Sequence, residues 1–204
     1  MTEKTLGQIL IERNILFPAI LDLALKRQKV EKGRHLGEIL LEMGVPQDEI
    51  NKVLDRFNKR KSIDQILIDL KIVTPQELEE ALQKKRELSK KGIRKPVGRL
   101  LMELGYISHS EYLKALSKHF NMPIISLAKF FPTPALQKAV GEKYAQKHLI
   151  VVLENTAKTL KLALAEPTMV LMEELRKTLR TGKSIEFYLA SANEIKSCLK
   201  KIGQ

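Results

Sequence analysis

The 204-residue sequence lacks the features that mark secreted and membrane-spanning proteins. It has a single cysteine, Cys198, which excludes a disulfide framework and fits a reducing compartment. No run of about eighteen apolar residues occurs, and no apolar signal core follows the N-terminal Met1-Thr-Glu-Lys-Thr. We therefore expect a cytoplasmic protein.

The sequence also lacks a recognisable catalytic or metal-binding constellation. The four histidines are scattered without the spacing of metal ligands, and Cys198 lies alone in a predicted C-terminal helix. Neighbouring carboxylates such as Glu173 and Glu174 are typical of an ordinary helix surface. We expect a protein that is not an enzyme and that needs no metal or cofactor.

One tetrapeptide, Thr181-Gly182-Lys183-Ser184, resembles the end of a phosphate-binding loop. Such a loop needs a second glycine five residues earlier, where this chain has Lys177, and it leads from a strand into a helix. Here the order is reversed, from a predicted helix into a predicted strand. We interpret Gly182 as a glycine that caps the C-terminus of a helix.

What the chain does have is apolar residues, at 44%, and a formal net charge of +12. The basic excess favours association with nucleic acid, anionic lipid or an acidic partner, without defining a fold. Much of it lies in residues 84–95, KKRELSKKGIRK. This stretch is either a solvated helix end and linker or an anion-binding patch, and it has no aromatic residue on which bases could stack.

The first part of the chain contains four copies of one template, at residues 5–28, 35–57, 62–85 and 96–119. Each begins with an apolar helical pattern of about ten residues that stops at one of four positions: Asn14, Gly44, Lys71 and Gly105. A second helix follows, and capping boxes mark its start at Thr74 with Glu77 and at Ser108 with Glu111. Each copy is therefore predicted to be a helical hairpin that must pack on its neighbours.

After residue 119 the pattern changes to short alternating elements. Strands are predicted at 122–127, 149–154, 159–165 and 184–190, with helices at 133–148, 169–179 and 192–202. The expected fold class is α+β: two pairs of helical hairpins followed by a small α+β domain. The predicted divisions are 1–60, 61–122 and 123–204, and fragments 1–122 and 123–204 are expected to fold independently.

These patterns together resemble a known family. The repeated Leu-Gly-x-x-Leu-Leu helices, NMPIISL, VGEKYAQKHLIVVL, LKLALAEPT and EELRKTLRTGKSIEFYLASANEI occur in the order found in the N-terminal domain of type II secretion and type IV pilus assembly ATPases. The resemblance covers nearly the whole chain and does not include the motor domain. The chain is either a fragment of such an ATPase or a short protein that keeps the regulatory region.

The resemblance implies a bacterial module that docks on the cytoplasmic part of a secretion or pilus machine component, or on a motor ATPase. It also implies a cytoplasmic location, with contact to the inner membrane made through a partner. One branch of the family, the MshEN type, binds cyclic di-GMP through paired Arg-Leu-Gly-x-x-Leu motifs and a glutamine near the end of the second helix. The matching or neighbouring positions here are Leu6, Gly7, Gln28, Arg34, His35, Leu36 and Gly37.

The chain departs from that motif at the arginine and glutamine positions. Thr5, His35, Ser62 and Pro96 stand where the binding branch has arginine, and Phe57, Lys85 and His119 stand at the glutamine position of the later copies. The third copy also has Asp64 and Lys71 for the two glycines, so the first pair of hairpins is the better candidate site.

The sequence is compatible with two interpretations of the motif glycines and with three hypotheses for the function. Gly7, Gly37 and Gly98 either approach a ligand or allow close helix packing. Protein docking is the first hypothesis for the function, cyclic di-GMP sensing the second, and a nucleic-acid adaptor the third. No specific nucleic acid is expected as a partner.

Overall fold

The computed structural model describes residues 4–56, 61–179 and 182–202. Its first part is a series of paired helices that confirms the helical hairpins. The eight helices are α1 Leu6–Glu12, α2 Pro18–Val30, α3 Leu36–Glu42, α4 Gln47–Arg56, α5 Ile63–Asp69, α6 Pro75–Lys90, α7 Val97–Glu103 and α8 His109–Phe120. The first helix of each hairpin has seven residues, fewer than the ten expected.

The turn in each hairpin has the same backbone geometry. All four predicted stop positions have a positive φ: Asn14 at 56°, Gly44 at 87°, Lys71 at 55° and Gly105 at 80°. Thr74 and Ser108 each form the predicted capping box with the glutamate three residues later. The repeats are therefore uniform hairpins, even where lysine replaces glycine or asparagine at the left-handed position.

The second part is a small α+β domain. Its elements are α9 Pro134–Gln137, α10 Glu142–His148, β1 Ile150–Asn155, β2 Thr159–Leu164, α11 Met169–Thr178, β3 Ser184–Leu189 and α12 Ala192–Ile202. The sheet order is β1-β2-β3, with β1 antiparallel and β3 parallel to β2. Helix α11 makes the crossover between the two parallel strands, as such a pairing requires.

Two of the predicted elements differ from the structure. Residues 122–127 form no strand: Ile124 makes a single parallel bridge to Leu189. The predicted helix at 133–148 is two short helices, because Gly141 between them has a φ of 84°. Helices α11 and α12 match the prediction closely.

The buried apolar side chains of the described residues form three clusters. One lies within the first pair of hairpins, one within the second pair, and one is the core of the α+β domain. Leu116 and Phe120, from the end of α8, belong to the third cluster. The divisions at residues 60/61 and 122/123 stay predictions, and a cut after residue 122 would remove these two side chains from the third core.

Gly182 lies between a helix and a strand, as predicted, and therefore outside the setting of a phosphate-binding loop. Its φ is 74°, but the helix ends earlier, with Leu179 at the C-cap and Gly182 three residues further on. The glycine is thus part of the connection to β3 and does not cap α11 directly. The Nζ atom of Lys183 donates a hydrogen bond to Oδ1 of Asn155 at 2.5 Å.

Replacing Gly182 with valine is expected to lower the free energy of unfolding by about 1 kcal/mol, because a residue with a Cβ is strained at positive φ. A Cβ at this position would have no atom within 4 Å, so the backbone alone causes the loss. Chemical denaturation is the measurement. Lys183→Ala should leave ATP affinity unmeasurable, and ATP hydrolysis abolished by that substitution would contradict this interpretation.

Candidate functional site

A cleft of about 240 Å³ opens between the first and second pairs of hairpins. We call it the inter-pair cleft. The first pair contributes the starts of α1 and α3 and the end of α2; the second pair contributes α5 and the end of α8. Its lining residues are Leu6, Gln28, His35, Leu36, Gly37, Leu54, Lys61, Ile66, Lys118, His119 and Asn121.

Five of the seven predicted site residues line this cleft: Leu6, Gln28, His35, Leu36 and Gly37. Four of them lie at the starts of α1 and α3, each of which has its Leu-Gly step in the first turn. The Nε2 atom of Gln28 donates a hydrogen bond to the carbonyl oxygen of Arg34 at 2.9 Å, which ties the end of α2 to the start of α3. The residues that the family resemblance indicated thus lie together, and their role as a binding site stays a prediction.

Gly7 is not in the inter-pair cleft. A Cβ on Gly7 would lie 2.5 Å from Cδ1 of Leu21, so this glycine allows α2 to pack against α1. Gly98 does the same in the fourth repeat, where a Cβ would lie 2.0 Å from Cε2 of Tyr112. Gly37 differs, because its nearest neighbour is Oδ1 of Asn121 in the cleft, 3.2 Å from the position of a Cβ.

Arg34 also lies outside the inter-pair cleft. Its guanidinium group bonds Oε2 of Glu31 at 2.7 Å and Oε1 of Glu42 at 2.5 Å, and Arg27 bonds the same two carboxylates. Hydrogen bonding to the arginines lowers the pKa of both glutamates and raises the pKa of Arg34, with Glu42 the largest contributor. Arg34 is therefore held in a surface network between α2 and α3.

The basic side chains of the inter-pair cleft already make hydrogen bonds or ion pairs within the protein. Nζ of Lys118 donates to the carbonyl oxygen of Gly33 at 2.7 Å and lies 3.4 Å from Oε1 of Glu38. Nδ1 of His119 is 2.7 Å from the carbonyl oxygen of Lys61. Burial, followed by the charge of Lys118, lowers the pKa of His35, so its imidazole is neutral at pH 7.

Asn121 is the cleft residue with an open hydrogen-bonding group. It is 4% exposed, adopts the left-handed conformation at the end of α8, and its Nδ2 atom has no hydrogen-bond partner. A buried amide donor without a partner is costly, so this N–H group is available to an acceptor that enters the cleft. Sequence reasoning missed Asn121, although His119 before it occupies the repeat position of Gln28.

The inter-pair cleft is connected to the α+β domain through Gln47 at the start of α4. Nε2 of Gln47 donates to the carbonyl oxygens of Asn121 and Phe187, each at 3.1 Å, and Oε1 accepts from the backbone N–H of Phe187 at 3.2 Å. Beside it, Arg176 bonds Asp48 at 2.5 Å and lies over the ring of Phe187. One buried side chain thus joins both hairpin pairs to strand β3.

The polar groups that line the inter-pair cleft include one buried amide donor without a partner, a neutral imidazole and two lysines that already contact other groups. Among the described residues, no group of three histidine, cysteine, aspartate or glutamate side chains could hold a metal ion. None of the helices in those ranges is long and apolar enough to cross a membrane.

Comparison with known proteins gives the family context. Residues 120–204 match the model of the MshEN domain. The chain is 29% identical to the type IV pilus assembly ATPase PilB of Myxococcus xanthus over 139 residues, which are 68% of this chain and 24% of that protein. The chain therefore corresponds to about a quarter of this relative's length.

Two solved structures share the fold. A structure of MshE with cdg, cyclic di-GMP, superposes with a TM-score of 0.61 at 21% identity, covering 70% of this chain and 99% of the other. The N-terminal domain of XpsE superposes with a TM-score of 0.53 at 17% identity, covering 69% and 92%. The α+β fold that the sequence predicted is confirmed. Residues 120–204 match the MshEN domain, and the chain is similar, as the sequence predicted, to the N-terminal domains of type II secretion and type IV pilus assembly ATPases.

Proposed function

We propose that this chain is a non-enzymatic docking module of a bacterial type II secretion or type IV pilus-like system. The observation that carries the proposal is the exposure of four large apolar side chains. Phe17, Val30, Phe131 and Val170 are between 75% and 83% exposed. Such residues lose contact with water when a partner covers them, which favours association.

The proposed partner is the cytoplasmic part of a secretion or pilus machine component, or a motor ATPase. The similarity to PilB, an assembly ATPase, supports this class of partner. The module would act in the cytoplasm and reach the inner membrane through that partner. A docking role also fits the inter-pair cleft, because its polar side chains mostly bond neighbouring backbone carbonyls and carboxylates.

Single substitutions of the four exposed residues with serine test the docking role. At least one of Phe17→Ser, Val30→Ser, Phe131→Ser and Val170→Ser is expected to weaken binding about tenfold or more, because a few apolar anchors dominate most interfaces. The measurement is interferometry against purified cytoplasmic parts of the pilus or secretion machine and its ATPase. Phe17→Ser also places a favourable N-cap residue before α2, so it should not cost stability.

The matched control is Gln146→Ser, which changes an exposed polar residue of α10 and should leave binding unchanged. Melting temperatures of all variants separate lost contacts from lost folding. If the parent chain binds none of these proteins, or if none of the four substitutions weakens binding, the docking proposal is wrong.

Cyclic di-GMP sensing is the second candidate, favoured by one observation. The motif positions Leu6, Gln28, Leu36 and Gly37 line a single cleft beside the open Nδ2 group of Asn121. The size of the cleft counts against a whole dinucleotide, since ligand pockets typically have about 300–1,000 Å³. The absence of arginine at positions 5 and 35 removes the side chains best suited to bind phosphate in two hydrogen bonds.

A further inference from the structure

Residues 84–95, which we call the basic tip, carry the densest charge of one sign in the chain's helical part. They comprise the last two turns of α6, a turn at Gly92 and the segment that leads into α7. The stretch contains seven basic residues and one acidic residue, Glu87. The basic residues are Lys84, Lys85, Arg86, Lys90, Lys91, Arg94 and Lys95.

The basic tip lies at the edge of the second pair's hydrophobic core. Ala81 is fully buried, whereas Lys85, one turn later on the same face of α6, is exposed. Apart from Leu88 and Lys95, which are half-buried, every residue from 84 to 95 is exposed. Leu88 packs against the core of the second pair, so the exposed cations lie on a helix end that is held on that core.

The turn at the end of α6 carries an exposed apolar side chain among the basic residues. Gly92 has a φ of 76°, and its N–H bonds the carbonyl oxygen of Ser89 at 3.0 Å. The N–H of Ile93 bonds the carbonyl oxygen of Leu88 at 2.9 Å, which closes the helix end. Ile93 remains 45% exposed, between the lysines of α6 and Arg94.

Most of these charges are not neutralised within the protein. Arg86 pairs with Glu79, and Lys95 pairs with Glu103. In the described ranges, Lys85, Lys90, Lys91 and Arg94 form no ion pair. Cations in the last turn stabilise a helix by interacting with its dipole, but Lys85 lies before that turn and Arg94 after it. The helix end alone therefore does not account for the cluster.

We propose that the basic tip binds the anionic surface of a lipid membrane. A cluster of exposed cations is attracted to a flat anionic surface, and each lysine or arginine near such a surface adds to the binding. The long lysine stems can lie against the interface while their ammonium groups contact headgroups. Ile93, exposed within the same cluster, can enter the boundary between headgroups and acyl chains.

The same features fit nucleic acid less well. The basic tip has no aromatic side chain for stacking, and its lysines outnumber its arginines five to two, although arginine is the better reader of base edges.

Vesicle flotation with the full chain tests this proposal. We expect binding to phosphatidylcholine vesicles that contain about 30% phosphatidylserine, little binding to phosphatidylcholine alone, and loss of binding as salt rises above about 0.5 M. The triple substitution Lys85→Gln, Lys90→Gln and Lys91→Gln should weaken partitioning on the order of 100-fold. Ile93→Ser should cause a smaller, severalfold loss.

The matched control is Lys138→Gln, Lys143→Gln and Lys147→Gln, which removes the same charge from exposed positions of the α+β domain. Equal losses in the two triple variants would mean that only net charge matters, and would overturn the proposal. So would vesicle binding that does not depend on phosphatidylserine. Tighter binding to duplex DNA than to the vesicles at the same salt, lost in the first triple variant, would assign the tip to nucleic acid instead.

Discussion

Replacing Gln47 with alanine is expected to lower the free energy of unfolding by about 3 kcal/mol, because three buried backbone groups lose their partner. These groups are the carbonyl oxygen of Asn121 and both the N–H and the carbonyl oxygen of Phe187. Each unsatisfied group costs about 1–3 kcal/mol, and water entering the space left by the side chain reduces that cost. The expected total for the three groups therefore lies near the low end of the summed range.

The measurement is urea denaturation of the full chain, with Gln146→Ala as the matched control. Gln146 lies on the exposed surface of α10 and bonds only Glu142, so its loss should cost less than about 0.5 kcal/mol. Hydrogen exchange gives a local readout: the N–H of Phe187 should lose protection in Gln47→Ala before the N–H groups at the β1–β2 pairing do. A loss below 1 kcal/mol, with Phe187 still protected, would mean that Gln47 does not hold the hairpins to the sheet.

Gln47 also explains why the predicted strand at 122–127 is wrong. The alternation of residue types there is that of a strand, but a strand needs a free edge with which to pair. The edge of β3 is shared: Pro123 and Ile125 bond Leu189, while the side chain of Gln47 bonds Phe187. Pro123 also lacks an N–H group, which limits pairing further. Gln47 lies 74 residues before Asn121 in sequence, so a local pattern at 122–127 cannot reveal its contact with β3.

The hairpins were predictable because their determinants are local. Capping residues such as Thr74 and Glu77 lie three positions apart, and the repeat alignment placed the left-handed turn at Lys71 even though lysine does not favour it. The family resemblance singled out Leu6, Gln28 and Gly37, which line one cleft. Local signals repeated four times gave the helices, whereas the binding role of these three residues stays a prediction.

The parts of the candidate site that were missed depend on contacts between hairpin pairs. Glu31 lies three residues before Arg34, but Glu42 lies eight residues after it, and no local pattern indicates that the two carboxylates together hold Arg34 outside the inter-pair cleft. Asn121 ends a helix in the second pair, and its approach to Gly37 in the first follows only from how the pairs dock. Roles that arise from packing between repeats are not encoded within one repeat.

Introducing arginine at positions 5 and 35, where the binding branch of the family has it, is expected to produce the largest change in ligand binding. We expect the parent chain to bind cyclic di-GMP no more tightly than about 10 μM at physiological salt, equivalent to some 7 kcal/mol. Thr5 and His35 are the N-cap residues of α1 and α3, directly before the Leu-Gly steps at the cleft. Neither supplies a permanent charge, because threonine is neutral and His35 has a lowered pKa.

The double variant Thr5→Arg and His35→Arg should bind cyclic di-GMP about 100-fold more tightly, since each charge-assisted pair contributes about 1.5–3 kcal/mol. Replacing Thr5 also removes its cap on α1, a hydrogen bond from the N–H of Gln8 that is worth about 1 kcal/mol, so the double variant should be less stable than the parent chain. Calorimetry on the full chain is the measurement. Ser89→Arg with Gln146→Arg adds the same charge elsewhere and should leave the affinity unchanged.

Two results would contradict this prediction in different ways. A submicromolar constant for the parent chain, weakened by Gln28→Ala or Arg34→Ala, would make the first hairpin pair a working receptor and overturn the docking-only interpretation. No gain in the double variant, with its fold intact, would mean that the inter-pair cleft is not the nucleotide site. The cleft's volume of about 240 Å³ is small for a dinucleotide, so a bound ligand must separate the hairpin pairs at Asn121. Because Gln47 bonds both Asn121 and Phe187, the N–H of Phe187 should then lose protection from hydrogen exchange.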